Sequence, residues 1–267
     1  METLARSLAV VGRPTIAFLV HLYRMAHLTW ETCYWLLIAP FKGRKIRLGS
    51  TIEQCVRIGW ESIPIVAIIA FFVGLILAMQ SAYQLEPFGA TIYVANLVAV
   101  AETRSLGPIL TAIIIAGRSG SAITAEIGTM KVSEEIDALR TMGLNAISFL
   151  VVPRFVAMLI MLPALTLVSD IVAIFGAWVL AVTTFDISSV RFIDQTQYAL
   201  VISDVTTGLI KSFFFGLIIA VIGCYQGFIV EGGAEGVGKS TTRSVVNSIF
   251  LIILADAVFT ALFLYVF

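Results

Sequence analysis

Charged residues are scarce in this chain. Of its 267 residues, 13% are charged and 59% are hydrophobic, whereas a soluble domain usually carries about 25% charged and about 45–50% apolar residues. So few charged side chains could not cover a globule of this size, which excludes a water-soluble enzyme. Lys and Arg together number 17, and so do Asp and Glu. Because there is no basic excess to hold a nucleic-acid backbone, nucleic acid is not expected as a partner.

Cysteine and histidine are also few. Cys33, Cys55 and Cys224 lie far apart and show no CxxC or Cys/His spacing, so neither a disulfide framework nor a zinc site is predicted. No cofactor or metal is expected in this chain. Charged residues interrupt the short apolar stretch at the N-terminus, which therefore lacks the continuous core of a cleaved signal and is expected to be kept.

Long apolar runs are abundant instead. A bilayer core takes roughly 20 apolar residues as a helix, and five such runs are present: about Ile63 to Ala82, Ile92 to Ala116, Phe149 to Val182, Val205 to Ile229 and Val245 to Phe267. Gly107-Pro108 is expected to kink the second run. Lys and Arg cluster before the first run, between the second and third, and between the fourth and fifth. This distribution predicts a cytoplasmic N-terminus and a C-terminus on the other side.

Residues 1–48 have a different pattern, with apolar side chains at helical spacing and charged residues between them. Such a segment is predicted to form an amphipathic elbow helix along the membrane interface. A sixth span is disfavoured, because it would bring four polar side chains into the hydrocarbon: His21, Arg24, His27 and Glu31. The sequence thus predicts an all-α integral membrane protein, with an interfacial segment (1–48) and a five-span domain (49–267).

Two motifs suggest chemistry that their context does not support. Residues 233–240 match the phosphate-loop pattern GxxxxGK[ST], but that loop binds nucleotide only between a buried strand and a helix, so we expect a glycine-rich cytoplasmic hairpin. Residues 117–120, Gly-Arg-Ser-Gly, resemble the GxSG of intramembrane serine proteases, which need a later histidine. His21 and His27 both precede it, so its small residues instead predict close helix packing.

Residues 126–143 form the most polar stretch after residue 61. The pattern predicts a short cytoplasmic helix, with Ser133 as N-cap, acidic residues in the first turn, Arg140 near the end and Gly143 as terminator. A helix lying on lipid headgroups would favour basic residues, so the acidic character favours docking of a partner. The candidate docking residues are Glu126, Ser133, Glu134, Glu135, Ile136, Asp137, Leu139 and Arg140.

Three motifs stand out in this part of the chain: Leu-Gly-Pro at 106–108, the stretch AGRSGSAITAEIGTM at 116–130 and EEIDAL at 134–139. Together they resemble those of the MlaE/YrbE permeases, the membrane subunits of ABC transporters that work with MCE proteins. The resemblance extends from about residue 50 to the end of the chain. It departs at Ser105, where the family usually has Glu between the Arg and Leu-Gly-Pro.

The resemblance implies a homodimer in the bacterial inner membrane that moves glycerophospholipids between the inner and outer membranes. Two copies of an MlaF-like ATPase, which would bind the ATP and Mg, would grip residues 126–143 as a coupling helix. A hexameric MlaD-like MCE ring would sit on the periplasmic face, and an MlaB-like accessory protein would bind the ATPase. The chain itself is then not an enzyme.

Ionisable residues inside the spans are functional candidates because charge at membrane depth is costly. Six are present: Glu102, Arg104, Asp170, Asp204, Lys211 and Asp256. Asp204 and Lys211 lie two helical turns apart, so they cannot pair directly. The candidate lipid path comprises Leu75, Leu77, Met79, Tyr83, Leu97, Glu102, Arg104, Asp204 and Lys211. Arg118, Arg243 and Asp256 are structural or gating candidates.

Three alternatives stay open from the sequence. All six intramembrane charges could serve as structural braces. The chain could be a secondary transporter driven by protons through Asp204, Lys211 and Asp256, which would need no ATPase. It could also be an intramembrane hydrolase that uses Ser119.

Overall fold

The computed structural model of the protein describes residues 2–38 and 47–266. Every regular element in these two ranges is helical. Five helical stretches are long and apolar enough to cross a membrane: Leu48–Phe88, Thr91–Val132, Ile147–Thr184, Ile202–Phe228 and Gly233–Tyr265. The prediction of an all-α integral membrane protein with five spans is confirmed. Residues 39–46, at the end of the predicted interfacial segment, lie outside the described residues.

The N-terminal helix α1 (Glu2–Leu37) is not among the five spans. Leu28 and Thr32, one turn apart, are buried against the rest of the chain, whereas Leu22, Tyr23 and Trp30 are exposed. α1 contacts the ends of the third and fourth spans. Its amphipathic character agrees with an interfacial position, which stays a prediction.

The first span consists of α2 (Leu48–Ile58) and α3 (Ile63–Leu85), and α3 runs along α8 (Val152–Thr184). Glycines make this contact close. A Cβ atom on Gly74 would lie 1.9 Å from the Ala173 carbonyl oxygen, and one on Gly176 would lie 2.4 Å from that of Phe71. The two backbones therefore touch where small residues permit it, as is typical of helix pairs in membranes.

The second span is divided into α4 (Val94–Ala101), α5 (Gly107–Ile115) and α6 (Ser121–Val132) by two π-helical turns, Glu102–Leu106 and Ala116–Gly120. The expected irregularity at Gly107-Pro108 takes the form of the first π turn, in which the Gly107 N–H donates to the Glu102 carbonyl. Pro108 has no N–H, so the regular hydrogen-bond pattern cannot pass through it unchanged.

The remaining helices are the short α7 (Glu135–Thr141), the amphipathic α9 (Ser189–Ala199), α10 (Ile202–Phe228) and α11 (Gly233–Val266). The expectation of a glycine-rich hairpin over 233–240 is wrong, because this segment forms the first turns of α11. Gly232, with φ at 89°, provides the turn before it. Within the described ranges a membrane helix, α10, precedes the phosphate-loop pattern, so the strand that the motif requires is not there.

Buried apolar side chains form two clusters. The larger cluster joins α5, α6, α8 and α10 and extends to Ile136 of α7. The smaller one joins α3, α4, α8 and α9 at the opposite end. Polar side chains of interest lie at the α7 end of the bundle and between the two clusters.

Candidate functional site

Helix α7 begins one residue later than the sequence predicts. α6 continues through Val132, and Ser133 still bonds to it, since its N–H and its hydroxyl each donate to the Thr129 carbonyl at 2.9 Å. Glu134 then adopts a left-handed conformation with φ at 61°, and α7 starts at Glu135. The prediction that Ser133 is the N-cap is therefore wrong: Ser133 closes the preceding helix, and its hydroxyl also contacts the Glu135 carboxylate at 2.9 Å.

The predicted end of α7 is confirmed. Gly143 has φ at 75°, and its N–H donates to the Arg140 carbonyl at 3.0 Å while the Leu144 N–H donates to the Leu139 carbonyl at 3.0 Å. These two bonds form the Schellman arrangement that ends many helices, in which glycine favours the left-handed residue. α7 is thus delimited on both sides by left-handed residues.

The apolar face of α7 points into the protein. Ile136 is 1% exposed and Leu139 packs against the larger core cluster, so Ile136 is not available to a partner, contrary to its place among the docking candidates. Five candidates are exposed: Ser133, Glu134, Glu135, Asp137 and Arg140. Asp137 lies 3.2 Å from Arg140 and 3.7 Å from Lys131. The surface that α7 offers is therefore polar and of mixed charge.

Glu126, the remaining docking candidate, braces three helices instead of standing on the exposed face of α7. It lies on α6, where its carboxylate pairs with Arg57 of α2 and with Arg154 of α8, the latter at 2.9 Å. Arg154 is 6% exposed and also donates to the Leu150 carbonyl at 2.7 Å. Charge-assisted bonds of this kind, partly shielded from water, hold the helix ends in a fixed arrangement.

Arg118 makes a second brace at the same end of the bundle. From the π turn before α6 it donates to the Glu61 carboxylate at 3.1 Å, to the Ser62 hydroxyl at 2.6 Å and to the Arg57 carbonyl at 3.0 Å. These contacts join the second span to the link between α2 and α3. Arg243, proposed with it, is exposed on α11.

Arg104 and Asp204 form an ion pair between the second and fourth spans. The distance between Arg104 Nη1 and Asp204 Oδ1 is 3.6 Å, and the Asp204 side chain is 9% exposed. The other Asp204 oxygen accepts from the Val201 N–H at 3.2 Å, at the start of α10. The Arg104 side chain is 40% exposed, so the pair lies at an accessible surface of the described chain.

Lys211 has a separate set of partners. Its Nζ atom lies 2.8 Å from Asp256 Oδ1, 2.8 Å from Thr260 Oγ1 and 3.2 Å from Ser105 Oγ. An ammonium group has three donors, and all three are used here. Ser105 thus lies next to Lys211 at the position where the MlaE/YrbE permeases, which this sequence resembles, usually have a carboxylate. Asp256 of α11 supplies the negative charge instead.

Glu102 and Asp170 form the third charged group. Glu102 is completely buried and Asp170 is 6% exposed. Both Glu102 oxygens and Asp170 Oδ1 have no hydrogen-bonding partner among the described residues. Asp170 Oδ1 lies against Gly107, directly after the first π turn, and the two carboxyl groups interact electrostatically. Glu102 therefore does not pair with Arg104, whose partner is Asp204.

The apolar residues of the predicted lipid path do not form one wall. Leu75 and Leu77 are half-buried and pack on the smaller core cluster. Met79, Tyr83 and Leu97 are exposed, Tyr83 to 80%. Among the described residues the structure brings Arg104 to Asp204 and Lys211 to Asp256, but it does not join the two pairs to Glu102.

Sequence reasoning missed the partners of the charged residues more often than the residues themselves. Arg57 and Arg154 lie 69 and 28 positions from Glu126, and Thr260 lies 49 positions from Lys211. The helical and strand periodicities of a sequence do not relate positions so far apart. Complementary charge on neighbouring spans was the one available signal.

The geometry gives Ser119 no histidine. Ser119 is 5% exposed, and its hydroxyl has no hydrogen-bonding partner among the described residues. His21 bonds to the Tyr225 hydroxyl, and His27 Nε2 lies 3.9 Å from the Glu31 carboxylate. A serine nucleophile needs an adjacent base, so the arrangement does not favour the hydrolase interpretation.

Five apolar spans, ion pairs between them and an exposed polar helix at one end are the features of a polytopic transport protein. Comparison with known families makes this specific. The sequence model of the family described as "Permease MlaE" matches residues 51–262, which is most of the chain. The protein belongs to the MlaE permease family.

Three relatives illustrate the range of similarity. A protein of Rickettsia felis named "Probable ABC transporter permease protein" is 38% identical over 253 residues, 95% of this chain and 96% of the relative. "Probable ABC transporter permease protein slr1045" of Synechocystis is 42% identical over 212 residues, 79% and 81% of the two chains. "Protein TRIGALACTOSYLDIACYLGLYCEROL 1, chloroplastic" of Arabidopsis thaliana is 38% identical over 219 residues, 82% of this chain and 63% of the relative.

Proposed function

We propose that this chain is the membrane-spanning permease subunit of an ABC transporter that moves glycerophospholipids between the inner and outer membranes with an MCE protein. The observation that carries the proposal is its membership of the MlaE permease family over residues 51–262, together with the names of its relatives as probable ABC transporter permeases. Hydrolysis of ATP, with its Mg, then takes place on a separate MlaF-like ATPase.

The contacts of α7 support a role as the element that receives force from the ATPase. Its exposed face carries Glu134, Glu135 and Asp137, whereas Ile136 anchors the opposite face in the core. A force on the polar face of α7 is therefore transmitted to the core helices that the opposite face contacts. Glu126 joins α6 to α2 and α8 through two arginines, so the same force is transmitted to three spans.

The ion pairs inside the spans support a polar path for a lipid headgroup. Arg104 is partly accessible and offers a cation to a phosphate, while Asp204 holds it in place. Acyl chains need apolar surface, and Met79, Tyr83 and Leu97 each expose an apolar side chain to which they could attach. The proposed assembly is a homodimer with two ATPase copies, an MlaD-like MCE hexamer and, where present, an MlaB-like protein.

The proposed location is the bacterial inner membrane with the N-terminus in the cytoplasm and the C-terminus in the periplasm. Lys131, Arg140, Arg154 and Arg118 all lie at the α7 end of the bundle. Positive charge is retained in short cytoplasmic segments, which supports placing α7 on the same side as the ATPase.

Reconstitution tests the proposal. Proteoliposomes that contain this chain, the ATPase and the MCE protein should move fluorescent phospholipid only with ATP. Reversing charge at Glu134 and Asp137 by Glu134→Lys and Asp137→Lys should abolish this movement while the ATPase retains its basal hydrolysis. The matched control Asp194→Lys alters an exposed carboxylate of α9 and should have little effect. Undiminished transport by the α7 variant would contradict the coupling role.

One observation favours a second candidate, a proton-driven secondary transporter. Glu102 and Asp170 are buried carboxyl groups with unpartnered oxygens among the described residues, as proton-carrying groups often are. Asp204 and Asp256, which the sequence suggests as proton carriers, are each paired with a cation. Lipid movement by the chain alone under a pH gradient, without ATPase, would support this candidate over the first.

A further inference from the structure

A cavity of about 340 Å³ lies where α1 meets the α7 end of the bundle. Its walls come from α1, the end of α6, α7, the π-helical turn Ile147–Val151 with the residue before it, and the end of α10. This volume is within the range of small-molecule sites. The cavity is separate from Arg104 and Lys211, which belong to the proposed lipid path, so its content is a separate question.

The polar part of the cavity carries excess positive charge. Arg24, Lys131 and Arg140 line it, and Glu31 is the one carboxylate among the lining residues. Glu31 lies beside His27, at 3.9 Å. Lys131 and Arg140 share a single carboxylate, that of Asp137. Two cations on one anion leave a net positive charge, to which Arg24 adds from the opposite wall.

The rest of the cavity is apolar. Seven aliphatic or aromatic side chains form this part: Leu28, Ile136, Ala146, Ile147, Tyr225, Phe228 and Ile229. Leu28, Ile136 and Ala146 are each less than 9% exposed, so the apolar floor belongs to the core. A water-soluble anion would leave this floor uncovered.

The cavity also lies beside an exposed apolar surface of α1. On α1, the lining residues Arg24, His27, Leu28 and Glu31 recur at helical spacing and share one face. Leu22, Tyr23 and Trp30 are exposed on the same helix. An exposed apolar strip next to a cationic pocket is the combination expected at the level of lipid headgroups.

We propose that this cavity binds one anionic phospholipid. The phosphodiester accepts hydrogen bonds from Arg24 on α1 and from Arg140 and Lys131 on the α7 side, and the start of an acyl chain covers the apolar floor. Guanidinium groups suit phosphate oxygens because they donate in a fixed fork. A lipid in this position connects α1 to α7. It stabilises the attachment of α7, the helix on which the proposed ATPase acts, to the rest of the bundle. It is a resident lipid, distinct from the cargo.

Native mass spectrometry of the full chain, released from nanodiscs with equal amounts of phosphatidylglycerol and phosphatidylcholine, tests the proposal. The unaltered protein should retain phosphatidylglycerol in preference. The double variant Arg24→Gln, Arg140→Gln should bind it roughly 25-fold more weakly, since each cation near a membrane surface contributes about a factor of five in affinity. The matched control Arg191→Gln, Lys239→Gln removes two exposed cations elsewhere and should retain it normally.

A second variant separates loss of binding from loss of folding. Ile147→Trp keeps every charge and fills the apolar floor, so it too should release phosphatidylglycerol while thermal unfolding stays near that of the unaltered protein. Equal retention of the two lipids by the unaltered protein would overturn the proposal. So would normal retention by the double variant, or complete displacement by inorganic phosphate with no effect of Ile147→Trp, which would indicate a site for the phosphate group alone.

Discussion

Lys211 of α10 and Asp256 of α11 form an ion pair at 2.8 Å in which the lysine is 1% exposed. Thr260 and Ser105 accept the other two lysine protons. The pair joins the fourth and fifth spans and reaches the π turn of the second.

Removing the lysine alone should be costly. Lys211→Met leaves Asp256 without its cation inside the bundle, and breaking a buried pair in this way typically costs about 3–5 kcal/mol. The measurement is the free energy of unfolding by denaturant in detergent micelles. Lys211→Met combined with Asp256→Leu removes both charges and should recover most of the loss. Equal instability of the single and double variants would contradict the importance of the pair.

Restoring the family carboxylate at position 105 should make Asp256 dispensable. Ser105 Oγ lies 3.2 Å from Lys211 Nζ, so the carboxylate of Ser105→Glu can pair with the same lysine. Asp256→Asn should destabilise the protein on its own and should be rescued when Ser105→Glu is added. A double-mutant cycle on the free energy of unfolding measures this coupling. Additive effects of the two substitutions would contradict it.

Neutralising the buried carboxyl groups should not destabilise the fold. Both Glu102 oxygens and Asp170 Oδ1 have no partner among the described residues, so Glu102→Gln and Asp170→Asn break no hydrogen bond at these atoms and lessen the cost of buried charge. Their thermal unfolding should match or exceed that of the unaltered protein. Asp204→Asn is the contrasting control, because it removes a carboxylate that pairs with Arg104, and it should lower the unfolding temperature.

The close contact between α3 and α8 should not tolerate a methyl group. A Cβ on Gly74 would lie 1.9 Å from the Ala173 carbonyl oxygen, so Gly74→Ala forces the backbones apart, at a cost of about 1–3 kcal/mol. Gly117→Ala is the matched control, because nothing lies within 4 Å of its Cβ position. Unfolding of the two variants in micelles provides the comparison. A neutral Gly74→Ala would contradict the described packing.

The spans could be predicted from sequence because hydropathy over about 20 residues depends little on tertiary detail. The start of α11 could not. Four glycines within residues 232–238 favour a loop, since each costs about 1 kcal/mol in a helix. Tertiary contacts offset that cost: Ser240 and Ser244 are buried, and the Thr124 hydroxyl of α6 donates to the Ser244 hydroxyl at 2.8 Å. Local composition carries no information about such a neighbour.

The candidate site was predictable in its residues and less so in its arrangement. Burial of Ile136 follows from the amphipathic pattern of α7, but the pattern alone does not tell whether its apolar side meets the protein's own core or a partner. Likewise, Glu126 stood out as acidic, yet its bracing role depends on Arg57 and Arg154, which other spans bring to it. Pairing across spans requires knowledge of which helices are adjacent.

The π-helical turns give the second span a mechanical character of its own. Each inserted residue widens the helix and interrupts its regular hydrogen bonding. The span can therefore bend at Glu102–Leu106 and at Ala116–Gly120. A displacement of α6 can then be accommodated by bending at these two π turns instead of by tilting the whole second span. α4, which packs on α3 and α9, can then keep its position when α6 is displaced at the α7 end of the bundle.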